Sequence, residues 1–272
     1  MNVLQVILLG IVEGISEFLP VSSTFHLILT ARLLKVAEGD FLKMFEVVIQ
    51  SGAILSVVWL YRDRLRKDRD LLFKTVAAFL PTAVLGALLY KTVKAVFFEA
   101  YSAMILIFIA VGVVFLAFEI LVRKGVLKPA KGIATLTWRD AFLIGLFQAA
   151  SFLPGVSRAG AVILTMMVLG YKRSDSAFFS FFLSIPTLLS AGLYDLYKSR
   201  EILLHSGANA AFLALGLAVS FIVAFFAVKW LISYLQRHTL NLFGWYRIAA
   251  GAAAQSGPEN AGEVPAGCPD RP

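Results

Sequence analysis

The chain has 272 residues, of which 59% are apolar and only 15% charged, and its mean hydropathy is +0.81. Soluble domains hold about 45–50% apolar residues, so this composition excludes a water-soluble globule; at about 20 apolar residues per crossing it supplies roughly eight membrane elements. The net charge of +8 comes from Lys and Arg in short runs between apolar stretches, which read as cytoplasmic loops rather than as a nucleic-acid surface.

In chain order, residues 1–34 are apolar but broken in the middle by a polar stretch containing Pro20, which predicts helix, break, helix. Runs with little or no charge at 47–61, 75–90 and 103–118 predict three spans. Residues 140–171 form a second broken region, followed by spans at 176–194 and 210–228 and a short, Ala-rich, marginal span at 240–254. The expected organisation is one transmembrane domain over 1–254, in halves of about 1–122 and 140–254, then a disordered polar tail over 255–272. That tail carries the single cysteine, Cys268, so no disulfide, CxxC pair or Cys-based zinc site can form within the chain.

Basic residues cluster at Arg62, Arg64, Arg66, Lys67, Arg69 and Lys74, and again at Arg123, Lys124, Lys128, Lys131 and Arg139. The positive-inside rule places both clusters in the cytoplasm. The N-terminus has no Lys or Arg before Arg32 and is expected outside. Lys172, Arg173 and Arg237 fit this map, whereas Lys198 and Arg200 fall on the wrong side of it.

The two broken regions share text. Phe18-Leu19-Pro20-Val21-Ser22-Ser23 and Phe152-Leu153-Pro154-Gly155-Val156-Ser157 match at an offset of 134, with three spans and one helical hairpin between them. An odd number of crossings turns the second copy upside down, which predicts an inverted repeat with two re-entrant helix-break-helix hairpins. Irregular backbone in a bilayer is tolerated where protein or a water-filled cavity satisfies it, so the breaks are where a site is expected. Chance similarity of a six-residue string is the alternative.

Glu13 and Glu17 stand four apart in an apolar run and share one helix face. An acid at bilayer depth costs about 2.5 kcal/mol or more, so a pair calls for a cation, an arginine or a shared proton, unless the segment lies at the interface and is solvated. After the break come Ser22, Ser23, Thr24 and His26. They would sit at a helix N-terminus, where backbone N–H groups favour an anion, although such residues also serve as ordinary caps. His26, one turn on from Ser23, is a candidate general acid, base or nucleophile. The second region offers Gly155, Ser157 and Arg158; Gly155 admits a close backbone approach, and Arg158 either neutralises Glu13 or Glu17 or clamps phosphate through its planar fork.

The segment from Glu13 to His26, with Pro154-Gly155-Val156-Ser157-Arg158, resembles the two signatures of the undecaprenyl-diphosphate phosphatase family of the bacitracin-resistance type. Supporting similarity runs through Phe45 to Gln50, Gln148 and Tyr246-Arg247-Ile248, and covers roughly residues 1–250. The resemblance implies an all-α, polytopic enzyme of the bacterial inner membrane. Such an enzyme removes the terminal phosphate of a C55 isoprenyl diphosphate at a site facing the extracytoplasmic side. It would recycle the lipid carrier for cell-wall synthesis and give bacitracin resistance. Glu13, Glu17, Ser23, His26 and Arg158 match the family's catalytic positions, with Ser22, Thr24, Gly155 and Ser157 expected at the substrate. Glu13 and Glu17 would hold a divalent metal, Mg²⁺ or Ca²⁺. Expected partners are the polyprenyl diphosphate and membrane lipids, with no nucleic acid and a homodimer left open. The chain departs from the family's usual residues at Phe25 (Gly), Ala159 (Ser) and Val162 (Thr). A lipid-phosphate transporter or flippase is the alternative, since inverted repeats with broken helices also mark transporters.

Overall fold

The computed structural model describes residues 1–97, 101–204 and 207–256, so the expected disordered tail lies, from residue 257 on, outside the described residues. Among the described residues thirteen α-helices follow one another: α1 (Val3–Ser16), α2 (Ser23–Leu33), α3 (Asp40–Val48), α4 (Gln50–Leu60), α5 (Arg62–Lys67), α6 (Arg69–Phe97), α7 (Tyr101–Arg123), α8 (Trp138–Gln148), α9 (Arg158–Val168), α10 (Arg173–Lys198), α11 (Arg200–Leu204), α12 (Gly207–Arg237) and α13 (Asn241–Gln255). No strand occurs among the described residues; Lys131 and Tyr171 form an isolated bridge. Five segments are long and apolar enough to cross a membrane, namely Asp40–Leu60, Arg69–Leu89, Tyr101–Arg123, Arg173–Lys198 and Gly207–Arg237. Each contains one of the five uninterrupted runs, apart from one or two end residues, because exclusion of charge over such lengths is a strong signal. The protein is therefore all-α and polytopic.

Two details differ from the sequence reading. The first span is two helices joined at Ile49, whose carbonyl accepts Ser220 Oγ–H at 2.7 Å from α12; the distant hydroxyl helps satisfy the carbonyl at the junction. The last apolar piece is a 15-residue helix, α13, packed along α7. At about 1.5 Å per residue it falls short of a hydrocarbon core roughly 30 Å thick.

Both broken regions are helix pairs. The entering helices are capped where the chain offers a side chain: Asn2 and Gln5 form a reciprocal capping box on α1, and Thr137 accepts the Asp140 N–H at the start of α8. Each leaving helix begins after a serine with left-handed backbone, Ser22 (φ 65°) before α2 and Ser157 (φ 74°) before α9. Non-glycine residues rarely occupy that region, at a cost of about 1–3 kcal/mol, and functional sites are where such strain collects. These two serines are 135 apart, so the backbone correspondence is shifted by one residue from the text match at 134.

Packing interleaves the halves. Helix α1 lies against α12, α8 against α6, α4 against both α10 and α12, and α7 against α13. Small residues bring these backbones together: a Cβ on Gly14 would stand 2.8 Å from the Ser220 carbonyl, and one on Gly145 would collide with the carbonyl of Ala78. Between lipid-exposed helices such close contact replaces the hydrophobic drive available in water. At the basic-loop end, Arg173 chelates Glu119 with Nε at 2.8 Å and Nη2 at 2.5 Å, and Glu119 also accepts the Leu240 N–H at 2.8 Å, tying α7, α10 and the start of α13 together.

Candidate active site

The two breaks meet inside the bundle. Glu13 lies in the last turn of α1 and Glu17 caps it, both buried. From the other half, Arg158 at the first position of α9 reaches across: its Nη2 donates to Glu17 Oε1 at 2.9 Å, while its Nη1 donates to the carbonyl and the hydroxyl of Ser180 at 2.7 and 3.0 Å. The carboxylate that meets the arginine is therefore Glu17. The fork is split between an acid and a serine of α10, and Arg158 Nε is a buried donor without a partner.

Glu17's second oxygen, Oε2, accepts the hydroxyl of Ser23 at 2.6 Å. Ser23, Glu17 and Arg158 thus form one continuous line across both breaks, with the hydroxyl hydrogen of Ser23 directed at a carboxylate. Ser23 opens α2, and its neighbour Ser22 makes no side-chain cap there, so the first-turn N–H groups are not spent on one. Ser157 differs: its hydroxyl accepts the Gly160 N–H at 3.2 Å and caps α9. That is an ordinary structural role. Thr24 stands half-buried in the first turn of α2.

The ring nitrogens of His26 are not hydrogen-bonded to Ser23. Its Nδ1 lies 2.8 Å from the Ser22 carbonyl, which can only accept, so Nδ1 carries the proton. Its Nε2 is 2.6 Å from the hydroxyl of Tyr246 on α13, and the two rings stack at 5.6 Å. The site places the imidazole beside the line rather than in it. Gly155 (φ 96°) is where only glycine fits, since a Cβ would stand 2.6 Å from the Met104 carbonyl. Its own carbonyl is taken by Arg247, whose guanidinium also binds the carbonyls of Pro20 and Phe108, each at 3.0 Å.

Sequence reasoning passed over Ser180, Tyr246 and Arg247 as site residues. Arg247 had a signal of the kind that singled out Arg158, a guanidinium within an apolar segment; Ser180 had none. The three departures fill the interior: Phe25 stacks on Phe108 with ring centres 3.9 Å apart, and Ala159 and Val162 are buried.

A divalent metal fits one feature. Both oxygens of Glu13 are buried without a hydrogen-bond partner, four residues from Glu17. Among the described residues no group of three or more His, Cys, Asp or Glu gathers as a complete protein cage. One or two carboxylates completed by substrate phosphates is the usual arrangement for Mg²⁺. Glu13→Gln is therefore expected to leave thermal stability little changed, because an amide of the same shape replaces a carboxyl group that makes no hydrogen bond, while the response of activity to added divalent metal is lost. Measuring melting and metal titration on the same purified variant checks this; an undiminished metal response would remove Glu13 from the metal site.

The bacitracin resistance protein BacA family matches the chain over residues 6–253. The chain belongs to that family. Undecaprenyl-diphosphatase of Campylobacter hominis is 44% identical over 251 residues, which are 91% of this chain and 96% of that protein. The enzyme of the same name from Aquifex aeolicus is 42% identical over 247 residues, 91% of this chain and 95% of its own. That of Methylococcus capsulatus is 43% identical over 263 residues, 93% of this chain and 94% of its own.

Proposed function

We propose that the chain is an undecaprenyl-diphosphatase, which hydrolyses undecaprenyl diphosphate to undecaprenyl phosphate and inorganic phosphate, recycling the lipid carrier and giving bacitracin resistance. The observation that carries the mechanism is the Ser23–Glu17–Arg158 line, which presents an oriented hydroxyl, a base and a cation at one point. Ser23 Oγ attacks the terminal phosphorus while its proton passes to Glu17 Oε2. The bond from that phosphorus to the bridging oxygen breaks, with its electron pair kept by undecaprenyl phosphate. Protonation of Glu17 weakens its hold on Arg158, freeing Nη2 to bind the transferring phosphoryl oxygens, where the electrostatic part of catalysis lies. Water then attacks the phosphorus of the phosphoserine, the P–Oγ bond breaks as Glu17 returns its proton to the departing Oγ of Ser23, and both protons of the water leave with inorganic phosphate. Glu13 and Glu17 would hold Mg²⁺ or Ca²⁺, which when bound neutralises charge on the diphosphate.

The matching strain at Ser22 and Ser157 and the exchange of packing partners between halves support reading the fold as an inverted repeat with two re-entrant hairpins. The basic runs support a plasma-membrane orientation in which the site opens to the extracytoplasmic side. On this reading, cysteines introduced near Arg66 and Lys128 escape an impermeant thiol reagent in intact cells, while one near Met1 is labelled. The opposite pattern would invert the map.

Paired broken helices also suit a lipid-phosphate transporter. Proteoliposomes containing the protein and undecaprenyl diphosphate separate the two: hydrolysis yields undecaprenyl phosphate and free phosphate in equal amounts, whereas movement of intact diphosphate between leaflets without cleavage would reject the enzyme.

A further inference from the structure

Arg247 is fully buried on α13, and no carboxylate among the described residues pairs with it. Its donors go to three backbone carbonyls: Phe108 in α7, Pro20 in the first break and Gly155 in the second. Neither Pro20 nor Gly155 lies in a helix, and no backbone N–H among the described residues takes either carbonyl. The guanidinium carbon lies over the Phe108 ring, 4.4 Å from its centre. Pro20 stands three residues before Ser23, and Gly155 three residues before Arg158, so the clamp grips both breaks at corresponding points. They are the same 135 residues apart as the two strained serines.

We propose that Arg247 is a positioning residue for the phosphatase reaction: one rigid guanidinium fixes the spacing between the two breaks, and through it the spacing between Ser23 on one and Arg158 on the other. Lys cannot replace it, because a single ammonium on a flexible stem has no fixed fork to span two carbonyls. The inference deepens the phosphatase reading and rests on it for the identity of the reaction, while the geometry of the clamp can be measured without substrate.

The test uses the purified full-length chain with Cys268→Ser and spin labels on cysteines at Ile15 and Leu153, two exposed positions flanking or within the breaks. The expected distance distribution is narrow in the parent and broad in both Arg247→Lys and Arg247→Met. In unlabelled protein, kcat per folded molecule in Arg247→Lys is expected to fall about 100-fold, as misplacement of reacting groups by an ångström or so does, with a much smaller change in KM. A cycle with Arg158→Lys adds a readout that a merely structural role would not move: Arg158→Lys should cost far less in the Arg247→Lys background than in the parent, because the two act on one geometry. Should Arg247→Met not fold, Phe108→Leu, which removes the ring beneath the guanidinium, carries the same measurements and is expected to broaden the distances. Unchanged distances, or kcat losses that simply multiply, would overturn the proposal. A parent protein that releases no phosphate yet shows the narrow distances and their broadening would instead count against the phosphatase reading alone.

Discussion

Glu17→Gln is expected to lower kcat for phosphate release by about 10²–10⁴-fold, the range for loss of a positioned general base. Glutamine preserves the shape of the side chain, but an amide has one acceptor where the carboxylate has two, and both are in use, by Arg158 and by Ser23. If the carbonyl oxygen faces Arg158, the NH₂ group faces Ser23 Oγ and turns the serine from donor to acceptor, so its proton no longer points toward a base. The opposite rotamer sets the NH₂ against Nη2 of Arg158, donor against donor. In the first rotamer Ser23 has no acceptor, and in the second it faces an amide oxygen too weakly basic to take its proton. Full activity in a folded Glu17→Gln variant would remove Glu17 as the base and with it the reading of Ser23 as the nucleophile.

Arg158→Lys separates the two roles open to this arginine. The ammonium keeps the positive charge beside Glu17, but it cannot bind Glu17 and Ser180 together in the fixed geometry that the two guanidinium nitrogens hold. A loss of about 10²–10³ in kcat with little change in melting temperature is expected, comparable to removing one transition-state donor. Arg158→Ala is different in kind. It leaves Glu17 buried without its counter-ion, and destabilisation by about 3–5 kcal/mol is expected to accompany the loss of activity. Near-wild-type turnover in Arg158→Lys would reduce Arg158 to a counter-ion for Glu17 and contradict its role on phosphate.

The membrane architecture was legible because charge is excluded from long runs and gathers between them; a single proline in each apolar hairpin marked the breaks. Glu13, Glu17 and Arg158 stood out because a charge inside an apolar segment needs a partner. Which acid meets Arg158 was not legible: four-residue spacing puts Glu13 and Glu17 on one face, and only the curl of the chain after α1 brings Glu17 to Ser23 and Arg158. Ser157 and Ser22 read alike in sequence and share a left-handed backbone, yet one caps a helix and the other does not, a difference that residue type does not reveal. The text match at 134 paired Ser23 with Ser157, whereas the backbone pairs Ser22 with Ser157, because the second break has one more residue between proline and the strained serine. Arg247 was not singled out as a site residue although it too stands in an apolar segment; its carbonyl partners come from residues 92, 139 and 227 positions away.

The most direct measurement is of inorganic phosphate released from undecaprenyl diphosphate by the purified full-length protein, before and after chelation and after divalent metal is restored. Release that equals undecaprenyl phosphate formed, falls sharply with chelator and returns with Mg²⁺ or Ca²⁺ is the predicted result. No release from folded protein under any of the three conditions would contradict it.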